Sequence, residues 1–452
     1  MLDKHGLLSN PVTQVLRQMT VPMTFGMIAV LMFNLVDTFF ISLLGTQALA
    51  AISYTFPVTF GVNCITMGIG MGLSTHIGRH LGKGDTRQAA ALSTHGLLLA
   101  IGLVTLAGLA GILSIEPLFR ALGAEASLIP MIREYMLIWY LTIPLLVIPM
   151  AGNSAIRASG DTKTPAKIMM LSGALNGLLD PLLIFGIGPF PELGIQGAAI
   201  ASAISWLGAL CASLYVLKVR EKLLSWPQTK RLIHDWIAIL SVGLPAAFST
   251  AMTPLAGAIL MKMLSAYGNP AVAAYGAAQR VESILILVLM ALTSALTPFM
   301  AQNFGANQPQ RSFQGLFLSM RFSIAFQLLI FIVMVPLSLP IAALFSQEEQ
   351  VKGLLWQYLL LVPLSYGFQG VLMMLSSALN ALHKPLLAFQ WNAMRLFLFT
   401  LPSAWLGGVL YDVEGVFIGI AVGNIIGGCL GYLYALKLRR RYIAPSEAHS
   451  AQ

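Results

Sequence analysis

Long apolar stretches, each closed by a short polar or glycine-bearing break, recur along the whole chain. They fall near residues 19–44, 47–77, 89–113, 128–151, 165–188 and 194–217, and again near 236–266, 271–302, 312–337, 352–377, 385–408 and 414–436. A helix rises about 1.5 Å per residue, so about 20 apolar residues cross the hydrocarbon of a bilayer. Every stretch reaches that length, and the longest must tilt or project beyond it. The pattern predicts an all-α membrane protein of twelve transmembrane helices. The first stretch is too long for a signal-peptide core and is expected to be retained.

Displacing the sequence against itself by 223 residues brings its punctuation into register: Pro22 meets Pro245, Ser42 meets Ser265, Gly45 meets Gly268, Gly82 meets Gly305 and Ala155 meets Ala378. After a small deletion, Pro165 meets Pro385 and Gly194 meets Gly415. Such an offset marks an internal duplication. Each half holds an even number of spans, so the halves are parallel repeats related by an axis along the membrane normal. The expected organisation is an N-lobe over 1–217, a cytoplasmic linker over 218–235, a C-lobe over 236–437 and a cytoplasmic tail over 438–452. Two facing bundles would leave a central cleft that opens to either side, as in a transporter, although channels and membrane enzymes are also duplicated. The linker, with Trp226 and Pro227, reads equally as an amphipathic strap on the membrane surface and as a solvated connection.

Composition agrees with a lipid environment: 57% of residues are hydrophobic and only 10% charged, with a mean hydropathy of +0.80. A soluble chain needs far more charge to cover its surface. The formal charge of +9 comes from 26 basic and 17 acidic residues, and its distribution argues against a nucleic-acid partner. Alternate loops hold Arg79, Lys83 and Arg87, then Arg157, Lys163 and Lys167, then Lys218 to Arg231, and finally Arg439, Arg440 and Arg441. The opposite loops hold Glu116, Glu125, Glu192, Glu348, Glu349, Asp412 and Glu414. That asymmetry places both termini in the cytoplasm. Cys64, Cys211 and Cys429 all fall within apolar stretches, where no disulfide is required.

Ionisable groups inside a membrane are expensive and mark function. Asp37 and Asp180 each stand roughly 11 Å below the outer end of their helices, counting about seven to eight residues at the helical rise. Ser202, about eight residues into the sixth stretch, reaches the same depth. Asn34 precedes Asp37 by one turn, and Asn176 precedes Asp180 likewise, so each amide can share a face with its carboxylate. Pro181 removes the helical hydrogen bond to the Gly177 carbonyl. Two neighbouring carboxylates in low dielectric cannot both ionise cheaply, and the same oxygens suit a proton or Na⁺. The plainer alternative is that the two acids only tie helices together. Leu260 stands where a second-half Asp37 would be, which makes any ion site asymmetric. Lys262, Arg280 and Glu282 are further candidates to line a cavity, with Lys262 equally placed to snorkel and Arg280 and Glu282 equally able to pair with neighbours, and Arg395 is a weaker candidate of the same kind. The 22 methionines suit an adaptable binding surface as well as ordinary packing. No HExxH, P-loop or paired CxxC is present, so neither an enzyme nor a cofactor is expected.

These residues resemble the multidrug and toxic compound extrusion (MATE) family over nearly the whole chain. The resemblance rests on Asn34-Leu-Val-Asp37-Thr-Phe-Phe-Ile-Ser-Leu-Leu-Gly45, on Gly78-Arg-His-Leu-Gly-Lys-Gly-Asp85, on Arg157-Ala-Ser-Gly-Asp-Thr-Lys-Thr-Pro165 and on Gly194-Ile-Gln-Gly-Ala-Ala-Ile-Ala-Ser202. It implies twelve helices in two pseudo-symmetric bundles and a monomer exporting cationic amphipathic drugs in exchange for H⁺ or Na⁺ from a prokaryotic inner membrane. The set Asp37, Asn176, Asp180 and Ser202 is similar to the DinF-type branch. There the N-lobe acids take the ion and a proline at the position of Pro22 permits bending of the first helix. The main rival is a lipid-linked oligosaccharide flippase, which would carry more intramembrane Arg and Lys than Lys262, Arg280 and Arg395.

Overall fold

The computed structural model describes residues 3 and 5–450, excepting the side chains of 444–450. The described residues form helices and connecting turns, with no strand among them. The N-terminal half runs through α1 (Val12–Ser42), α2 (Thr46–Gly82), α3 (Thr86–Ala121), α4 (Ile129–Ala158), α5 (Lys163–Ile184) and α6 (Gly194–Tyr215). The C-terminal half comprises α7 (Thr229–Ser265), α8 (Asn269–Leu285), α9 (Leu287–Gly305), α10 (Pro309–Phe345), α11 (Glu349–Leu361), α12 (Tyr366–Ala381), α13 (Pro385–Ala393) and α14 (Leu401–Ser450).

Among the described residues, eleven helical stretches are long and apolar enough to cross a membrane. The last, Pro385–Ile443, supplies two crossings, because Tyr411 and Asp412 leave helical geometry and break α14. The polar sequence Asp412-Val-Glu414-Gly415 gives that break its reason: it belongs in water, not in hydrocarbon. Twelve crossings result, as the apolar pattern predicts. Other interruptions stay inside a crossing. Ile286 separates α8 from α9, and Pro363, which lacks an N–H, lies in the tight turn between α11 and α12. Outward faces carry bare leucines, such as Leu113 at 85% and Leu344 at 83% exposure, which only lipid can cover favourably.

The duplication is visible in backbone conformation. Gly45 precedes α2 at φ 109°, ψ 172°, and its repeat partner Gly268 precedes α8 at φ 99°, ψ 171°. That region is open essentially to glycine alone. Gly84 (φ 80°) and Gly160 (φ 100°) are matched at the same offset by Asn307 (φ 57°) and His383 (φ 56°), so the second half keeps these left-handed turns without glycine.

Contacts divide the chain into two compact units. One comprises Met1–Gly6 and Val21–Ala247, the other Leu7–Thr20 and Phe248–Gln452. The first part of α1 therefore belongs with the C-terminal helices: Val12, Val15, Leu16 and Met19 are buried in a core with Leu296, Phe299 and Phe313. The first part of α7 belongs with the N-terminal helices, and Ile239 is buried in the core of Leu73, Leu92 and Ile156.

The polar stretch 218–235 is not simply solvated. Residues Val216–Arg220 continue α6 as a π-turn, and α7 already starts at Thr229. His95 and Asp235 are both buried and meet at 2.7 Å. The Gln228 backbone N–H donates to His95 Nε2 at 3.0 Å, so the ring proton lies on Nδ1 and is given to Asp235. Trp236 Nε1 donates to the His95 carbonyl at 2.8 Å, and Thr94 exchanges hydrogen bonds with the Ser225 backbone. Trp226, by contrast, is 92% exposed.

Candidate functional site

The acids predicted to share a depth do converge. Asp37 on α1 and Asp180 on α5 bring their carboxyl groups within hydrogen-bonding range of one another. Asn176, one turn before Asp180, donates from Nδ2 to Asp180 Oδ1 at 3.0 Å and lies 3.4 Å from Ser202 Oγ on α6. Three helices thus contribute to one cluster, with Asp180 completely buried. Pro181 lies inside α5 directly after it, leaving the Gly177 carbonyl without its helical donor.

Two oxygens decide what this cluster can do. Asp37 Oδ1 and Asp180 Oδ2 are buried, and neither accepts a hydrogen bond from an N–H or O–H of the protein. Ionised carboxylates only accept, so two of them face to face satisfy each other only when something positive sits between. A proton would make one the donor. A sodium ion would take both oxygens, with Asn176, Ser202 and the free Gly177 carbonyl as further hard oxygen donors close by.

Tyr135 on α4 lies close enough to interact electrostatically with both acids. Nothing in the sequence distinguished it, because a tyrosine near a helix end is ordinary in a membrane protein. Asn34 is not gathered in: it is exposed, its backbone carbonyl accepts from Thr38 Oγ1 at 2.7 Å, and its amide makes no hydrogen bond to Asp37 among the described residues. Pro22 lies within α1, fifteen residues before Asp37.

The C-terminal unit carries no copy of this cluster. Leu260, the counterpart of Asp37, is 6% exposed and packed in an apolar core. Lys262 and Arg280 are exposed and form no ion pair among the described residues. Glu282 instead lies in a polar nest of its own. Tyr358 Oη donates to Oε2 at 3.2 Å and Gln279 Nε2 at 3.4 Å, with Tyr366 and Gln369 as further partners. Arg395 is within electrostatic reach of this carboxylate. It donates instead to Asn424 Oδ1 and Asn392 Oδ1, each at 3.3 Å. The sequence marks Glu282 and Arg395 as isolated charges; their shared environment comes from helices far apart in the chain. No group of three or more His, Cys, Asp and Glu among the described residues is arranged to hold a metal ion.

Twelve crossings in a duplicated pattern, with buried acids among them, define a multi-pass membrane protein. The MatE family pattern matches residues 22–182 and again 245–406, once per repeat and starting at the paired prolines Pro22 and Pro245, and the chain belongs to that transporter family. It is 45% identical to the FAD transporter of Shewanella oneidensis over 440 residues, covering 97% of each chain. It is 28% identical to the probable multidrug resistance protein YoeA of Bacillus subtilis, covering 75% of this chain and 74% of that one. In three dimensions it matches the Vibrio cholerae MATE transporter VcmN in the bent form with a TM-score of 0.90, at 34% identity over 95% of this chain and 98% of that one.

Proposed function

We propose that the protein is a secondary active exporter that drives its cargo outward in exchange for H⁺ or Na⁺ taken up by Asp37 and Asp180. The observation that carries this reading is that the Asp37 and Asp180 carboxyl groups lie within hydrogen-bonding range of one another while each keeps one buried oxygen without a protein partner. The ion enters the outward-open state and joins the two acids. α1 then bends near Pro22, cargo leaves, and the ion is released to the cytoplasm after the carrier turns inward. The protein works by alternating access as a monomer in a prokaryotic inner membrane, with both termini in the cytoplasm, as the alternation of basic and acidic loops supports.

For the cargo, similarity of 45% over nearly the full length to a protein named as an FAD transporter favours a flavin dinucleotide. A second reading, export of cationic amphipathic drugs, is supported by the more distant resemblance to a probable multidrug resistance protein and by the methionine content. Vesicles containing the purified protein, loaded with FAD or with a fluorescent cationic dye, separate the two under an imposed pH or sodium gradient. FAD efflux is expected, and the effective gradient names the ion. Dye efflux without FAD efflux would replace the first cargo with the second. Equal efflux from protein carrying Asp37→Asn would remove the coupling role.

A further inference from the structure

We infer that Arg395 is a phosphate-binding residue for cargo: a guanidinium held inside the C-terminal unit to receive a phosphate or diphosphate group. The inference rests on the dinucleotide reading of the cargo and extends it to a particular residue.

Two opposite charges lie near one another inside this unit and do not pair. Glu282 takes its hydrogen bonds from the phenols and amides of Tyr358, Tyr366, Gln279 and Gln369. Arg395 is 8% exposed, and its partners are two neutral amide oxygens, both at the long distance of 3.3 Å. A guanidinium has five N–H donors and a full positive charge, and burying it against neutral groups alone is costly. The surroundings maintain that arrangement. Asn424 donates to Ser365 Oγ at 3.1 Å, and Asn392 donates to the Ser249 carbonyl at 2.8 Å and to Ser249 Oγ at 3.0 Å. Each amide nitrogen is thereby occupied, which turns each amide oxygen towards the guanidinium. Arg395 is thus oriented by neutral groups, with the Glu282 carboxylate within electrostatic reach but not hydrogen-bonded to it.

The backbone adds a second observation. Arg395 lies in a π-turn, Met394–Thr400, between α13 and α14. Such insertions recur at functional positions in helices because they re-aim a side chain and loosen the local ladder. Counting from Pro385 at the helical rise, the residue stands roughly 15 Å along its crossing, near mid-membrane. A planar fork that donates two parallel hydrogen bonds suits a phosphate at that depth. FAD carries a diphosphate; riboflavin has the same isoalloxazine ring without one.

The test is equilibrium binding to the purified full-length protein in detergent, with FAD, riboflavin and inorganic pyrophosphate as probes. Arg395→Gln is expected to weaken FAD and pyrophosphate about ten- to hundredfold, the scale of a lost bidentate charge-assisted contact, and to leave riboflavin unchanged. Glu282→Gln removes a negative charge beside the guanidinium and is expected to tighten pyrophosphate by about three- to tenfold. Weakening of comparable size in both variants would mean that the cluster only holds the helices together, and would overturn the proposal. If Arg395→Gln does not fold, Arg395→Lys keeps the charge and loses the fork. Weaker pyrophosphate binding by this variant supports the proposal, and undiminished binding overturns it. FAD binding that survives both substitutions sinks the role of Arg395 but not the cargo. Pyrophosphate binding that depends on Arg395 in a protein without affinity for FAD sinks the dinucleotide cargo and keeps the site. Binding of neither probe by the unaltered protein overturns both.

Discussion

The two units share one repeat, yet each handles its buried charges differently. In the N-terminal unit Asp37 and Asp180 face each other with two oxygens unsatisfied. In the C-terminal unit a carboxylate and a guanidinium lie close together, and each has found neutral partners instead. The first arrangement leaves one buried oxygen on each acid without a protein donor. In the second, the carboxylate and guanidinium are within electrostatic reach of each other, and each makes its hydrogen bonds with neutral groups. Duplicated folds thus need not duplicate their chemistry: the same backbone turns recur at Gly45 and Gly268, while Leu260 stands where the first half has Asp37.

That contrast can be broken most directly at the acids. Asp37→Asn and Asp180→Asn are each expected to abolish gradient-driven export in vesicles, and full transport by either would end the claim that the N-terminal pair is the coupling centre. The anchors of the two units offer the next test. His95→Ala removes the neutral ring that donates to the buried Asp235 carboxylate and should cost about 1–3 kcal/mol. Asn303→Ala, which in the other unit loses the hydrogen bond to the Leu7 carbonyl, should cost about 1 kcal/mol. Thermal unfolding in detergent ranks the two, and equal losses would show that the charge on the Asp235 acceptor adds nothing. At the repeated glycines, Gly45→Ala and Gly268→Ala should each cost about 1–3 kcal/mol, by the same amount, because the strain is in the backbone. No neighbour lies closer than ordinary contact at either position. Unequal shifts in melting temperature would show that the duplication is less faithful than the dihedral angles indicate. Asn176→Ala removes the donor to Asp180 and should slow export about fivefold, matching about 1 kcal/mol for one hydrogen bond. The smallest effect belongs to Ser202. Replacement by Thr keeps the hydroxyl and should leave the rate unchanged, while replacement by Ala should cost less than the Asn176 change.

Much of this was legible before any coordinates. Depth counting along separate apolar stretches placed Asp37, Asp180 and Ser202 together, because helical rise is uniform enough to compare rungs on different helices. The offset between repeats was legible because proline and glycine sit at turns whose backbone tolerates little else. Partners supplied by packing were not. Tyr135 comes from a fourth helix, and the nest around Glu282 draws on α8, α11, α12 and the turn before α14; no spacing rule in the sequence links them. Asn34 failed in the opposite way: adjacency along a helix placed it beside Asp37, but its amide projects to the exposed side. The stretch 218–235 reads equally as a strap on the membrane surface and as a solvated connection, because polarity does not tell the two apart, whereas the His95–Asp235 pair makes its polar groups the means of holding it.

The helix that opens each half begins among the helices of the other: α1 starts in the core of Leu296 and Phe299, and α7 starts in the core of Leu73 and Ile156. A chain of half this length would have no place of its own to bury those first turns. Two copies would, by trading their opening helices, the arrangement of a segment-swapped dimer. The present polypeptide carries that exchange within one chain, so each half completes the core of the other and the two are mechanically interlocked by their opening helices.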